Sequence, residues 1–192
     1  MTDPGDGELL QRSAAGDAEA FEAFAGRHVP ALMRYLGLLG AEPADADDAT
    51  QETLLAAWRS AGTFRGGDSA RGWLLTIGRH ALARLHRRRA AEPTAFAGLE
   101  AADELGLAAG WGDAASPLDA LERAEARAAV RQALARLPEA ERETVYLRDV
   151  EELPGGAVAA LTGVTLAAMK SRLHRGRLRL AADLGRLLHA SA

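Results

Sequence analysis

The chain has 192 residues, of which 48% are hydrophobic, 26% are charged and 5% are aromatic. This apolar content suffices for one modest core or two small ones, and the richness in Ala and Leu favours helices over sheets. The absence of cysteine excludes disulfides and thiolate zinc sites, and we predict no metal or other cofactor. Because neither a secretory leader nor an uncharged apolar run of about 20 residues is evident, we expect a cytoplasmic protein without membrane contact.

The formal net charge of −4 conceals an alternation of acidic and basic segments. Residues 1–62 carry a net charge of −7, residues 63–89 of +6, residues 90–165 of −8 and residues 166–192 of +5. Affinity for nucleic acid grows with the number of phosphates neutralised, so the two basic segments are the candidates for DNA contact. The acidic remainder repels DNA or meets a second, basic surface. We therefore expect weak DNA binding by the chain alone and a further macromolecular partner.

Helical periodicity runs through the whole chain and predicts an all-α protein. The N-terminal part contains four predicted helices. The first ends at Gly16, and Asp17 caps the second. The third runs from about Pro43 to Ala61, and the fourth follows a loop at residues 63–69. One apolar stripe of the fourth helix consists of Leu74, Ile77, Ala81 and Leu85.

A change of composition separates this part from the C-terminal part. Residues 91–116 contain acids, many Gly and Ala, and no basic residue, which predicts a flexible acidic linker. Ser116 and Pro117 suit the N-cap and first residue of a new helix, and Pro138 and Pro154 suit the starts of two more. We therefore expect two small helical domains, at residues 1–90 and 117–192.

Residues 154–177 have the spacing of a helix-turn-helix motif. Gly163 supplies the turn, Thr165 caps the second helix, and Gly155 and Gly156 predict a first helix that is short or starts late. Val158 and Leu161 are its expected core residues. An apolar stripe of the second helix contains Leu166, Met169, Leu173, Leu180, Leu184 and Leu187. The second helix of such motifs enters the major groove, where Lys, Ser and Arg suit base edges. The side that would face DNA carries Lys170, Ser171, His174 and Arg175. A solvated basic helix, packed through its leucines, is the alternative.

Three blocks of sequence resemble the extracytoplasmic-function sigma factors of the sigma-70 family. Residues 45–58, D-A-D-D-A-T-Q-E-T-L-L-A-A-W, and residues 71–89, R-G-W-L-L-T-I-G-R-H-A-L-A-R-L-H-R-R-R, resemble region 2. Residues 136–179, from R-L-P-E-A-E-R-E-T-V-Y-L to M-K-S-R-L-H-R-G-R-L-R-L, resemble region 4. One block alone is weak, because helix-turn-helix motifs are widespread, whereas three blocks in this order are specific.

The resemblance implies an initiation factor rather than an enzyme. Such a protein directs core RNA polymerase to promoters and helps to open the DNA. Residues 1–90 would be region 2, which binds core polymerase and the minus-ten element, and residues 117–192 region 4, which binds the minus-thirty-five element. The implied partners are core RNA polymerase, through its beta-prime clamp helices and beta flap, and promoter DNA, both duplex and melted single strand. An anti-sigma protein is a further family expectation.

The resemblance also implies site residues. The expected contacts to core polymerase are Asp45, Asp47, Asp48, Gln51, Glu52 and Leu55. The expected minus-ten contacts are Arg65, Arg79, His80, Arg84, Arg87 and Arg88. The expected minus-thirty-five contacts are Lys170, Ser171, Arg172, His174, Arg175 and Arg177. Acids at a helix N-terminus are also favoured by the helix dipole, which is the alternative reading for Asp45 to Asp48.

Two departures from the family pattern bear on promoter preference. His80 stands where family members commonly have Asn, and Arg84 where they commonly have Asp, so the family's minus-ten preference is not carried over to this chain. The alternative function is a stand-alone helix-turn-helix regulator whose N-terminal helices dimerise. Such a regulator predicts a palindromic site and tight binding without polymerase.

Overall fold

The structure is a computed structural model that describes residues 4–65, 69–91 and 117–190. Its helices are α1 (Asp6–Ala14), α2 (Ala18–Leu38), α3 (Pro43–Ser60), α4 (Ala70–Ala91), α5 (Pro117–Ala135), α6 (Glu139–Val145), α7 (Gly155–Thr162) and α8 (Leu166–Ala190). A 3₁₀ turn, Ala61–Thr63, follows α3, and a π-helical turn, Tyr146–Val150, follows α6. These described residues contain no strand.

The chain divides into two compact units, one containing α1 to α4 and the other α5 to α8. This confirms the prediction of an all-α protein with two small helical domains. The predicted acidic linker at 91–116 lies outside the described residues, apart from Ala91 at the end of α4. The domain limits at residues 90 and 117 therefore stay predictions.

Side-chain caps begin two helices of the first unit. Asp17 Oδ1 accepts a hydrogen bond from the backbone N–H of Ala20 at 3.0 Å, which confirms the predicted cap of α2. Ser69 Oγ accepts one from the N–H of Gly72 at 3.1 Å at the start of α4. Each cap satisfies a backbone donor that the first helical turn leaves without a partner.

The core of the first unit lies among α2, α3 and α4, with α1 packed on α2. Its fully buried large side chains are Leu9, Leu10, Phe24, Leu32, Tyr35, Leu36, Leu74 and Leu75. Of the predicted stripe on α4, Leu74 and Ala81 are buried, and Ile77 and Leu85 are half-buried. A methyl group at Gly78 would overlap with Leu32 Cδ1, so α2 and α4 approach closely where α4 has no side chain.

An acidic residue of α1 ties this helix to α2. Asp6 Oδ2 lies 2.8 Å from Nε2 of the buried His28, and Asp6 Oδ1 accepts a hydrogen bond from Arg27 at 3.2 Å. Burial lowers the pKa of His28, because a charged imidazolium there would lose its hydration. The neutral ring is therefore the form that suits this packing.

The second unit contains the predicted helix-turn-helix. Gly163 between α7 and α8 has a left-handed φ of 69°, and Thr165 Oγ1 accepts a hydrogen bond from the N–H of Ala168 at 3.2 Å. Val158 and Leu161 of α7 are buried. The turn, the cap and these two core residues are confirmed.

The helix α7 agrees with one of the two predicted alternatives: it is short, with eight residues, and it begins at Gly155 itself. A methyl group at Gly155 would lie 2.9 Å from Met169 Cε, so the missing side chain permits close packing on α8. Leu166, the first residue of the predicted apolar stripe on α8, is 47% exposed. Of the other stripe residues, Met169 is buried and Leu173, Leu180 and Leu184 are half-buried.

Within the described ranges, no helix combines the length and the apolar character that crossing a membrane requires.

Candidate nucleic-acid and protein interfaces

The N-terminal half of α8 presents a polar, basic side to solvent. Lys170, Ser171 and His174 are exposed, whereas Met169 on the opposite side is buried. At 100° per residue, Lys170 and His174 lie 40° apart around the helix, and Ser171 lies a further 60° round. One ammonium group, one hydroxyl and one imidazole are therefore available together on a single helix face.

Two arginines of α8 bind a buried carboxylate of α6. Arg175 Nε donates to Glu141 Oε1 at 3.1 Å, and Arg179 Nη1 donates to Glu141 Oε2 at 2.7 Å. The carboxylate is 8% exposed, whereas both guanidinium groups are about half exposed. The two bonds fix the rotation of α8 about its own axis relative to α6, and they leave part of each guanidinium accessible.

A glycine allows α6 and α8 to come this close. A methyl group at Gly176 would lie 2.6 Å from Val145 Cγ2 and 3.3 Å from the carbonyl oxygen of Glu141. Both distances are shorter than an ordinary van der Waals contact. Gly176 therefore helps to set the position of α8.

A second acid binds Arg177 on another side of α8. Its Nε and Nη2 donate to the two carboxylate oxygens of Asp149 at 2.9 and 2.5 Å. This bidentate hydrogen bond raises the pKa of Arg177. Of the six residues predicted for this surface, Arg175 and Arg177 are thus engaged within the unit, Arg172 is half-buried, and Lys170, Ser171 and His174 are exposed.

The second basic surface lies on α4, whose 22 residues include no acid. His80 and Arg87 are exposed and, seven residues apart, lie within about 20° of each other on the outward side of the helix. Arg65 is exposed in the preceding loop, whose residues 66–68 lie outside the described ranges, and Arg79 is half-buried. Arg84 and Arg88 turn towards α3 instead: their guanidinium groups lie 3.1 and 3.8 Å from Glu52 Oε1.

Aromatic packing supports the beginning of that loop. The ring centroid of Phe64 lies 5.7 Å from that of Trp73, which in turn lies 6.4 Å from that of the buried Phe24. Trp58 of α3 meets Phe21 edge to face at 5.2 Å. Both tryptophans are half-buried. These contacts agree with a packing role for the two residues rather than a contact to a partner.

The acidic residues of α3 face in two directions. Asp47, Asp48, Gln51 and Leu55 share an exposed face, on which Leu55 is 57% exposed. Asp45 is buried and forms an ion pair with Arg89 of α4. With Glu52 bound to Arg84, the six residues predicted for the polymerase surface do not form one continuous exposed patch.

Glu141 and Asp149 are the site residues that the sequence did not reveal. They lie 34 and 28 positions away from the arginines that they bind, Arg175 and Arg177. No local pattern connects positions so distant. Among the described residues, no group of three His, Cys, Asp or Glu side chains is arranged to hold a metal ion.

Comparison with known proteins adds independent findings. Residues 24–92 match the family model of sigma-70 region 2, and residues 127–180 match that of sigma-70 region 4. The chain is 36% identical over 182 residues to the ECF RNA polymerase sigma factor SigM of Mycobacterium tuberculosis, covering 95% of this chain and 86% of SigM. It is 30% identical over 177 residues to the RNA polymerase sigma factor CnrH of Cupriavidus metallidurans, covering 92% of each chain.

A solved structure has the same fold. The structure of CnrH in complex with the cytosolic domain of CnrY matches with a TM-score of 0.62 at 26% identity, covering 97% of this chain and 99% of the matched chain. The order of the two family matches and the near-complete coverage exclude a likeness confined to a helix-turn-helix.

The chain belongs to the sigma-70 family, whose members are DNA-binding initiation factors. Within that family it is an extracytoplasmic-function RNA polymerase sigma factor, a subunit for promoter-directed transcription initiation. The alternative of a stand-alone regulator is not favoured, because the relatives that match nearly the whole chain are sigma factors.

Proposed function

We propose that this sigma factor divides its task among three surfaces. The exposed face of α3 docks on the beta-prime clamp helices of core polymerase, α4 with the preceding loop holds the minus-ten region, and the N-terminal half of α8 reads the minus-thirty-five element. Region 4 also meets the beta flap. The chain supplies binding surfaces and no catalytic residue, and it acts in the cytoplasm, where bacterial polymerase and DNA are found.

The observation that carries this proposal is the exposed basic face of α8 directly after a helix-turn-helix turn. Lys170, Ser171 and His174 are exposed at the end of the helix that enters the major groove in such motifs. Arg175 and Arg177 are held by Glu141 and Asp149, so their guanidinium groups are oriented before DNA is bound. We assign base contacts to the first three residues and backbone phosphate contacts to the two arginines.

The proposed polymerase surface follows from the outward face of α3. Asp47, Asp48 and Gln51 suit an arginine-rich partner, and Leu55 adds apolar area that water would leave when a partner docks. The proposed minus-ten surface follows from α4, where His80, Arg84, Arg87 and Arg88 lie on or beside the outward side. Arg65 and Arg79 complete that set at the loop and at the first half of the helix.

We further propose regulation by an anti-sigma protein. The matched CnrH structure is a complex with a second protein, the cytosolic domain of CnrY, which supports a protein partner of this kind here. Affinity capture of the chain from cells, with and without stress, provides the check. Recovery of core polymerase and no further stoichiometric protein under every condition would remove this part of the proposal.

The experiment for the promoter surface compares two variants of one helix. Lys170→Ala removes a cation from the proposed reading face, and Arg186→Ala removes one from the same helix outside that face. With core polymerase present, we expect Lys170→Ala to weaken promoter binding by about 5- to 100-fold, the range for a lost base contact, and Arg186→Ala by less than about 3-fold. Equal losses would show that only total charge matters and would refute the assignment.

A further inference from the structure

Two acids of α3, Asp45 and Glu52, lie within 4.0 Å of four of the basic side chains of α4: Arg84, His86, Arg88 and Arg89. Asp45 pairs with Arg89 and lies 4.0 Å from His86. Asp45 is thus the first of the two acids, and it lies where α3 packs against α4.

The second acid, Glu52, lies two turns further along α3. Glu52 Oε1 lies 3.1 Å from Arg84 Nη2 and also accepts a hydrogen bond from Arg84 Nε at 3.1 Å. The same oxygen is 3.8 Å from Arg88 Nη2. Because Asp45 and Glu52 are seven residues apart, they lie on one edge of α3, about 10 Å from each other along the helix axis.

Burial separates these two acids from the other acids of α3. The side chains of Asp45 and Glu52 are 7% and 32% exposed, whereas Asp47 and Asp48 are exposed to solvent. A docking protein reaches Asp47 and Asp48 directly, but it cannot reach Asp45 without displacing Arg89. The acids of α3 therefore have two different surroundings.

We propose that Asp45 and Glu52 are positioning residues that hold the arginines of α4 ready for promoter phosphates. This assignment rests on the proposed function, and it moves both acids out of the polymerase contact set. It applies to the region 2 surface of the holoenzyme.

The physical reason is the cost of ordering long, like-charged side chains. Arg84 and Arg88 are four residues apart on one helix, so their charges repel, and α4 has no acid of its own to separate them. An arginine that binds phosphate loses side-chain entropy, and a carboxylate that already orients it reduces that loss. Because a guanidinium has five N–H donors, one that binds a carboxylate keeps others for a phosphate.

The test compares Asp45→Asn with Asp48→Asn in the full chain. Each variant removes one unit of negative charge from α3, but only Asp45 touches α4. Two equilibria are measured for each: affinity for core polymerase, and affinity of the assembled holoenzyme for a promoter fragment at several salt concentrations.

The proposal predicts that each of the two variants changes a different one of these equilibria. Asp45→Asn binds core polymerase as the wild type does, but its holoenzyme binds the promoter about 3- to 5-fold more weakly, because the half-exposed Arg89 loses the buried carboxylate that orients it. The slope of log affinity against log salt falls by up to about one, because one oriented arginine is lost. Asp48→Asn weakens polymerase binding and leaves the slope unchanged. A general loss of folded protein would reduce the active fraction without changing that slope.

Two results would overturn the proposal. One is an unchanged or tighter promoter complex with Asp45→Asn, which would mean that the carboxylate only neutralises the arginines. The other is a loss of polymerase affinity as large as that of Asp48→Asn. Glu52→Gln tests the other positioning acid in the same two assays, and the same results are expected for it as for Asp45→Asn. The wild-type holoenzyme is the control for the proposed function, since its failure to bind any promoter would be a failure of that function and not of this assignment.

Discussion

Replacing Gly176 by alanine tests the packing that positions α8 against α6. The added methyl group would lie 2.6 Å from Val145 Cγ2 and 3.3 Å from a backbone oxygen of α6. Val145 is 1% exposed, and its β-branched side chain has little freedom to rotate away within a helix. We therefore expect an overpacking cost of about 2 to 3 kcal/mol. Alanine regains about 1 kcal/mol of helix propensity, which leaves a net destabilisation of about 1 to 2 kcal/mol.

A second glycine of α8 provides the matched control. A methyl group at Gly185 meets no atom within 4 Å, so Gly185→Ala keeps only the gain in helix propensity. The same substitution in one helix should thus destabilise the second unit at Gly176 and stabilise it by up to about 1 kcal/mol at Gly185.

Hydrogen–deuterium exchange of the amides in α6 and α8 measures this locally, since the two units of the chain need not unfold together. For Gly176→Ala, we expect exchange that is about 5- to 30-fold faster. The Gly185→Ala variant should show slower exchange. If both variants slow exchange equally, α6 does not pack against Gly176 as described, and the account of how α8 is positioned is wrong.

Three further predictions concern single residues. The free energy of unfolding should fall as the pH is lowered from about 7.5 through the ordinary histidine value of 6.5, because the pKa of His28 is lowered on folding and the unfolded chain binds the proton first; His28→Gln should reduce this dependence in urea titrations at several pH values, and an unchanged dependence would contradict it. Gly163→Ala should destabilise the second unit by about 1 to 2 kcal/mol in thermal unfolding, because its φ of 69° is left-handed, and an unchanged midpoint would be inconsistent with that turn. Gly155→Ala should change stability by less than about 1 kcal/mol, because the atom that it meets is the flexible end of Met169, and a loss of several kcal/mol would disprove this.

Local chemistry predicted much of the fold. Asp17, Gly163 and Thr165 act at helix ends through hydrogen bonds or dihedral angles that involve residues no more than three positions away. Such effects are visible in the order of the residues alone, which is why these three predictions are confirmed. The apolar stripe on α4 was visible for the same reason, although Leu75 and Leu82 widen the buried face beyond it.

Long-range pairing could not be predicted in this way. The bond between Arg84 and Glu52 connects residues 32 positions apart, and that between Arg179 and Glu141 connects residues 38 apart. Which acid meets which arginine depends on the rotation of packed helices, and a small rotation would exchange the partners.

Mapping of transcript 5′ ends tests the central claim most directly. Purified core polymerase, with and without this chain, transcribes a library of genomic DNA fragments, and every start site is sequenced. We predict new start sites that appear only with the chain and that share sequence elements near positions minus ten and minus thirty-five. If the chain adds no start site to those of core polymerase, while it binds a palindromic DNA site tightly by itself, the account is contradicted.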